Sequence, residues 1–165
     1  MATSIIYRGL EVHAPKEGGS DGGALEVAVL DKLLEANDVD VPQDRVDNEL
    51  NGMVLAFYQQ LRYDSLTTGT PHFQMHEEVD AQMEPMREEA YRAVKTDLLL
   101  QTIIEEEKLQ VTRGELEEEA EAMSLRQGIP MEQIRDFLGE DLGMLRRDLL
   151  IRKTIRLVRE AAVFV

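Results

Sequence analysis

The chain has no cysteine and no tryptophan. Without cysteine there is no disulfide framework, no thiolate metal site and no thiol nucleophile. Aromatic residues make up only 5%, four Phe and four Tyr. No run of about 18 apolar residues occurs, so no helical membrane span is expected. The N-terminus lacks a charged leader followed by an apolar stretch, so no secretory signal is expected and the cytoplasm is the expected compartment. Positive charge is also scarce. Eighteen Lys and Arg face 33 Asp and Glu, a net charge of −15. Nucleic-acid binders and proteins adhering to anionic membranes carry basic patches, so neither partner is expected. Strong like charge favours solubility and opposes self-association, which nevertheless remains a possible partner mode. What remains is 165 residues with 43% hydrophobic content, enough for one domain with a core.

The stretch that sets the pattern is Leu33-Leu34-Glu35-Ala36-Asn37-Asp38-Val39-Asp40-Val41-Pro42. A helix ends at Asn37, a residue that tolerates the left-handed backbone of a C-cap. A short extended connector follows, and Pro42 suits the first position of the next helix. Helices are expected over 24–37, 42–66, 77–108 and 112–127, with a short one through Leu138 and a last one over 141–162. The apolar residues after Ala24 recur at intervals of three and four. Pro85 should restart or kink the third helix, because it removes a backbone bond. Thr112 with Glu115 reads as a capping box. Residues 5–12 form a short β-prone run, expected to lie extended against the helices without a paired sheet. Gly18-Gly19-Ser20-Asp21-Gly22-Gly23 reads as a flexible linker, either a natural loop or an engineered splice. The resulting division is an extended segment over 1–17, a linker over 18–23 and a helical domain over 24–165. The class is all-α.

Chemistry-bearing constellations are few. His72 and His76 lie four apart, but Phe73 stands where a zinc-protease helix needs its Glu, so no metal is expected. Glu105-Glu106-Glu107 and Glu117-Glu118-Glu119 fan around their helices and read as solvated acidic faces rather than desolvated catalytic carboxylates. The Gly-rich run lacks the Lys and Ser/Thr of a phosphate loop. No catalytic residue and no cofactor follow from these patterns. The eight Met stand out. Met is flexible and polarizable, which suits surfaces that accept varied partners, although core filling is its ordinary role.

Ala36-Asn37-Asp38-Val39-Asp40-Val41-Pro42 with Val46-Asp47-Asn48-Glu49 closely resembles the C-terminal domain of bacterial trigger factor. So do Glu89 to Lys95 with Leu98-Leu99-Leu100, Glu107 to Thr112 with Glu115, and the tail Leu145 to Lys153. Tyr7-Arg8-Gly9-Leu10-Glu11-Val12 looks like the strand that follows that family's ribosome-binding domain. The family's ribosome-binding signature and its prolyl-isomerase domain are absent from this sequence. The resemblance implies an elongated multi-helix chaperone domain with arm-like helical hairpins. It implies an ATP-independent holdase for apolar segments of nascent or unfolded polypeptides, without isomerase activity. It implies contact with the ribosome only through a domain this sequence lacks. Two other readings stay open: a helical scaffold for one fixed partner, and a SurA-type periplasmic chaperone fragment. For an apolar cradle the candidates are Met53, Phe57, Tyr58 and Leu61 on the helix at 42–66, with Met123, Met131, Phe137 and Met144 on the later helices. The pairs Met53-Val54 and Phe57-Tyr58 widen the apolar stripe, so one member of each pair is free to face a partner. Leu98 to Leu100 are excluded as central support.

Overall fold

Apolar residues three and four apart produce helix nearly everywhere, and six helices are present among the described residues. The computed structural model describes residues 4–13, 22–69 and 75–165. In chain order the elements are β1 (Glu11–Val12), α1 (Gly22–Ala36), α2 (Gln43–Thr68), α3 (Met75–Glu107), α4 (Arg113–Gln127), α5 (Met131–Leu138), α6 (Gly143–Glu160) and β2 (Val163–Phe164). They divide into two compact units: residues 37–99, and residues 4–36 with 100–165.

In the first unit α2 and the N-terminal part of α3 form a helical hairpin. Val46 and Leu50 of α2 bury themselves with Ala90 and Val94 of α3. Arg45 pairs with Asp97 at 2.7 Å, and Tyr58 meets His76 at 2.7 Å. Early α2 therefore meets late α3, and late α2 meets early α3, so the helices run antiparallel. Gly69 ends α2 at φ 69°, a left-handed conformation that favours glycine. Pro42 is the N-cap of α2 rather than its first helical residue, since its ψ of 126° is extended. Its carbonyl still accepts the first helical bond, from Val46 N. Pro85 neither restarts nor ends α3, which is continuous through it. Met83 and Met86 on either side pack against the hairpin seam, and packing there outweighs one missing backbone bond.

In the second unit α4, α5 and α6 enclose Val111, Leu116, Ala120, Ile134, Leu142 and Leu145. α1 buries Val29 and Leu33 completely and lies against α6 and β1. Thr112 caps α4, accepting from Glu115 N at 3.2 Å, as the capping-box spacing predicts. Leu142 adopts φ 56° at the start of α6, later than the expected start at Asp141. Asp141 Oδ1 accepts from Gly143 N at 3.1 Å, and this turn lets Leu142 enter the core.

Three further expectations need correction. β1 and β2 do pair, in parallel, with Glu11 opposite Val163 and Val12 opposite Phe164. The pairing joins residues far apart in sequence, so no local pattern announces it. Asn37 follows α1 but has no positive φ; it is a buried polar residue instead. A non-glycine residue that does end a helix in the left-handed conformation is Lys108 after α3, at φ 52°. Gly22 and Gly23 open α1 rather than belonging to a linker. Gly18 to Asp21, Thr70, Pro71 and His72 lie outside the described residues.

Candidate functional site

An apolar groove in the second unit lies between α4 and α5. Gly128 ends α4 at φ 65°, and its N–H bonds back to Ser124 O. Ile129 N donates to Ser124 O at 3.2 Å, and Ser124 Oγ donates to Ile129 O at 2.5 Å. These bonds fix the sharp connection that brings α5 back beside α4. Arg135 of α5 pairs with Glu117 of α4 at 2.6 Å. The result is a groove of about 320 Å3 lined by Met123, Gln127, Ile129, Gln133, Ile134, Phe137 and Leu138. Ile134 is buried at its base, while Phe137 is 80% exposed. No charged side chain lines this groove.

Of the expected residues on the later helices, Met123 and Phe137 therefore come together. Met131 is half-buried and packs against the same core cluster, not into the groove. Met144 is 66% exposed at the start of α6 and does not line the groove.

On the hairpin the expected residues fare differently. Met53 is half-buried and packs against the seam together with Val54, so neither member of that pair stands free. Phe57 is half-buried. Tyr58 is tied to His76 by its hydroxyl and by an edge-on ring contact with centroids 5.8 Å apart. Leu61 is buried, with 6% exposure, and forms part of the interior. The open apolar residues of α2 are instead Leu55, Tyr63 and Leu66, none of them anticipated. Leu55 and Leu66 are separated by about three helical turns and share a face. That spacing was available in the sequence, but Leu55 sits inside the run Met53-Val54-Leu55-Ala56-Phe57-Tyr58, where periodicity alone does not single it out, and Leu66 stands apart from the stripe. A second opening of about 470 Å3 lies between α2 and α3, lined by Gln43, Val46, Arg87, Glu88, Tyr91 and Arg92.

The acidic runs are not wholly solvated. Glu107 accepts from Tyr7 at 2.6 Å and from Arg8, Glu117 pairs with Arg135, and Glu119 pairs with Arg126 and Arg152. Hydrogen bonds from Tyr7, then Arg8, hold Glu107 below the usual carboxylate range. The Lys153 ammonium does the same for Glu115. The bond to Glu107 raises the Tyr7 hydroxyl. These shifts belong to contacts that tie elements together, and none of the three groups lines the α4–α5 groove. Among the described residues no group of three or more His, Asp or Glu is arranged to hold a metal.

The geometry defines a predominantly helical domain: a helical hairpin, a second helical unit, and apolar openings on each. The bacterial trigger factor protein C-terminus family profile matches residues 22–160. The chain belongs to that family. A trigger factor from Bacillus licheniformis is 36% identical over 141 residues, 85% of this chain and 32% of that protein. One from Staphylococcus aureus is 35% identical over 127 residues, 76% of this chain and 29% of that protein. The chain thus spans about a third of the length of these relatives. A trigger factor structure from Thermotoga maritima has the same fold, with a TM-score of 0.60 at 19% identity, over 85% of this chain and 84% of that one.

Proposed function

We propose that this domain is an ATP-independent holdase, binding apolar segments of nascent or unfolded polypeptides and preventing their aggregation. The observation that carries the reading is the α4–α5 groove, where Phe137 stands 80% exposed above an apolar floor. Its lining is uncharged and includes Met123, a side chain that adapts to differently shaped partners. Membership in the trigger factor family supports the same reading.

Each buried apolar side chain of a client contributes about 1.5–3 kcal/mol before ordering costs. A few such contacts give micromolar binding and quick release, so no nucleotide-driven step is required. On the hairpin, Met53, Phe57 and Tyr58 are half-open, and Leu55, Tyr63 and Leu66 extend the apolar area. Met131 and Met144 add apolar area near the core cluster and on α6. The reading assigns this domain no catalysis, no cofactor and a cytoplasmic setting. Any contact with the ribosome would go through sequence other than this.

The test is suppression of aggregation of two unrelated denatured proteins by the intact chain, compared with its Phe137→Ala variant. The intact chain should slow aggregation of both proteins, and the variant should do so less well at equal stability. No effect on either protein, together with capture of a single folded partner, would replace the holdase by a fixed scaffold.

A further inference from the structure

β2 is a two-residue edge strand whose one partner among the described elements is β1. Val163 N donates to Leu10 O at 2.8 Å, and Val165 N donates to Val12 O at 3.0 Å. Backbone groups alternate sides along a strand, so those of Val163 and Val165 face β1 while the N–H and C=O of Phe164 face away. Among the described residues β2 pairs with β1 alone. The other side of this small sheet is not equivalent, because α1 lies against β1. Sheet edges are usually defended by shortness, Lys, Pro, a bulge or a covering element, and of these β2 has its shortness. Residues 161–165 are Ala-Ala-Val-Phe-Val, with neither charge nor proline. Val163, Phe164 and Val165 are 50%, 43% and 62% exposed.

We propose that the outer edge of β2 is a docking site for an extended, uncharged apolar segment of a client polypeptide. The segment adds to the sheet as a third strand, with its backbone bonded to the outward N–H and C=O of Phe164. Two observations select this occupant. The outward N–H and C=O of Phe164 present a donor and an acceptor in strand geometry beside exposed apolar side chains, which matches the backbone of an extended apolar segment and makes strand addition the fitting mode. A second copy of this chain would bring a further net charge of −15 to the contact, which opposes self-pairing. The proposal rests on the holdase reading and extends it, because the groove recognises side chains whereas this edge recognises backbone. A holdase gains from such a site, since every unfolded client offers a backbone whatever its sequence.

The experiment uses the full chain and two labelled peptides. One is a short uncharged peptide alternating Val and Thr. The other has the same side chains but is N-methylated at successive amides, which blocks strand pairing along both of its edges. Affinity is read by fluorescence anisotropy, and hydrogen exchange at the Phe164 amide by NMR. The plain peptide should slow exchange at Phe164. It should also bind about tenfold more tightly than the N-methylated copy, the effect of one or two backbone hydrogen bonds. Phe164→Pro, which removes the outward N–H, should abolish that difference while Val163 stays protected. Should Phe164→Pro release β2 from β1, seen as lost protection at Val163, the peptide comparison on the unaltered chain still decides. Equal affinity for both peptides, or unchanged exchange at Phe164 on saturation, overturns the proposal. So does protection of Phe164 that grows with protein concentration in the absence of peptide. Suppressed aggregation with an unaffected Phe164 amide sinks only this site. Peptide pairing at Phe164 without suppression sinks only the holdase reading.

Discussion

The hairpin and the α4–α6 region put similar residues to different uses. α2 and the α4–α5 pair both carry Met and Phe. In the hairpin, Met53 and Val54 close onto a seam with α3, Leu61 is buried, and Tyr58 is engaged by His76. Around α5, Ile134 faces the core while Phe137, three residues on, stands 80% exposed. The difference follows from which face of each helix its neighbours cover. In the hairpin the two helices have each other, so the seam draws in the flexible side chains nearest it. α5 is only eight residues long and is held by α4 on one side and α6 on the other. Its remaining face has no neighbouring element among the described residues, and Phe137 falls there. An apolar pair in sequence widens a stripe, but the neighbouring helix decides whether the added width stays open.

Core truncations should have the largest effects. Leu99→Ala removes a fully buried side chain and should cost about 2–5 kcal/mol. Leu61→Ala should fall in the same range, which would place it with the interior rather than with the open surface. Thermal or urea unfolding of both variants checks this. A Leu61→Ala variant as stable as the parent, with weakened holding, would return Leu61 to the binding surface and break the contrast between the two regions.

Thr112→Ala should come next. It removes the acceptor for Glu115 N at the start of α4 and should cost about 1 kcal/mol, read from the same unfolding curves. Phe137→Ala should change stability by no more than about 0.5 kcal/mol, as exposed sites usually do. It should nevertheless weaken suppression of aggregation. Leu66→Ser, at a residue 85% exposed on α2, asks the same of the hairpin. If Leu66→Ser impairs holding more than Phe137→Ala, the hairpin is the stronger surface despite its closed seam.

Most of the helical fold was legible in the sequence because helix periodicity and capping are local. Thr112 with Glu115, Gly128 and Gly139 marked helix ends near where they occur. Long-range features were not legible. The parallel pairing of residues 11–12 with 163–164 has no local signature, since a strand pair between chain ends depends on how the helices pack. The partners of the acidic runs were hidden for the same reason: Glu107 meets Tyr7 and Arg8 about a hundred positions away. The candidate site was legible in part. Met123 and Phe137 meet in one groove, but Leu55, Tyr63 and Leu66 were passed over and Leu61 is interior. Periodicity marks an apolar face; it does not say whether another helix covers that face.

The smallest expected effect concerns the contact that holds residues 7–8 to the end of α3. Tyr7 and Arg8 both donate to Glu107, and beside them Gly9 N donates to Ala161 O at 2.9 Å. Glu107 is held below its ordinary value near 4.5, so its contribution is fully present above that value and is lost as pH falls through the lowered one. Tyr7 is raised above 10.0, so its contribution is present below 10.0 and is lost as pH rises through the raised value. Protection of the Gly9 amide from hydrogen exchange, corrected for intrinsic rate, should therefore be flat through neutral pH and weaken at both extremes. Glu107→Gln should remove the acid-side loss and lower protection at neutral pH only slightly. The effect stays small because the contact is exposed to solvent and the bonds between residues 9–12 and 161–165 do not depend on it. An unchanged acid-side profile in Glu107→Gln would show that these backbone bonds, rather than the carboxylate, hold the N-terminal segment in place.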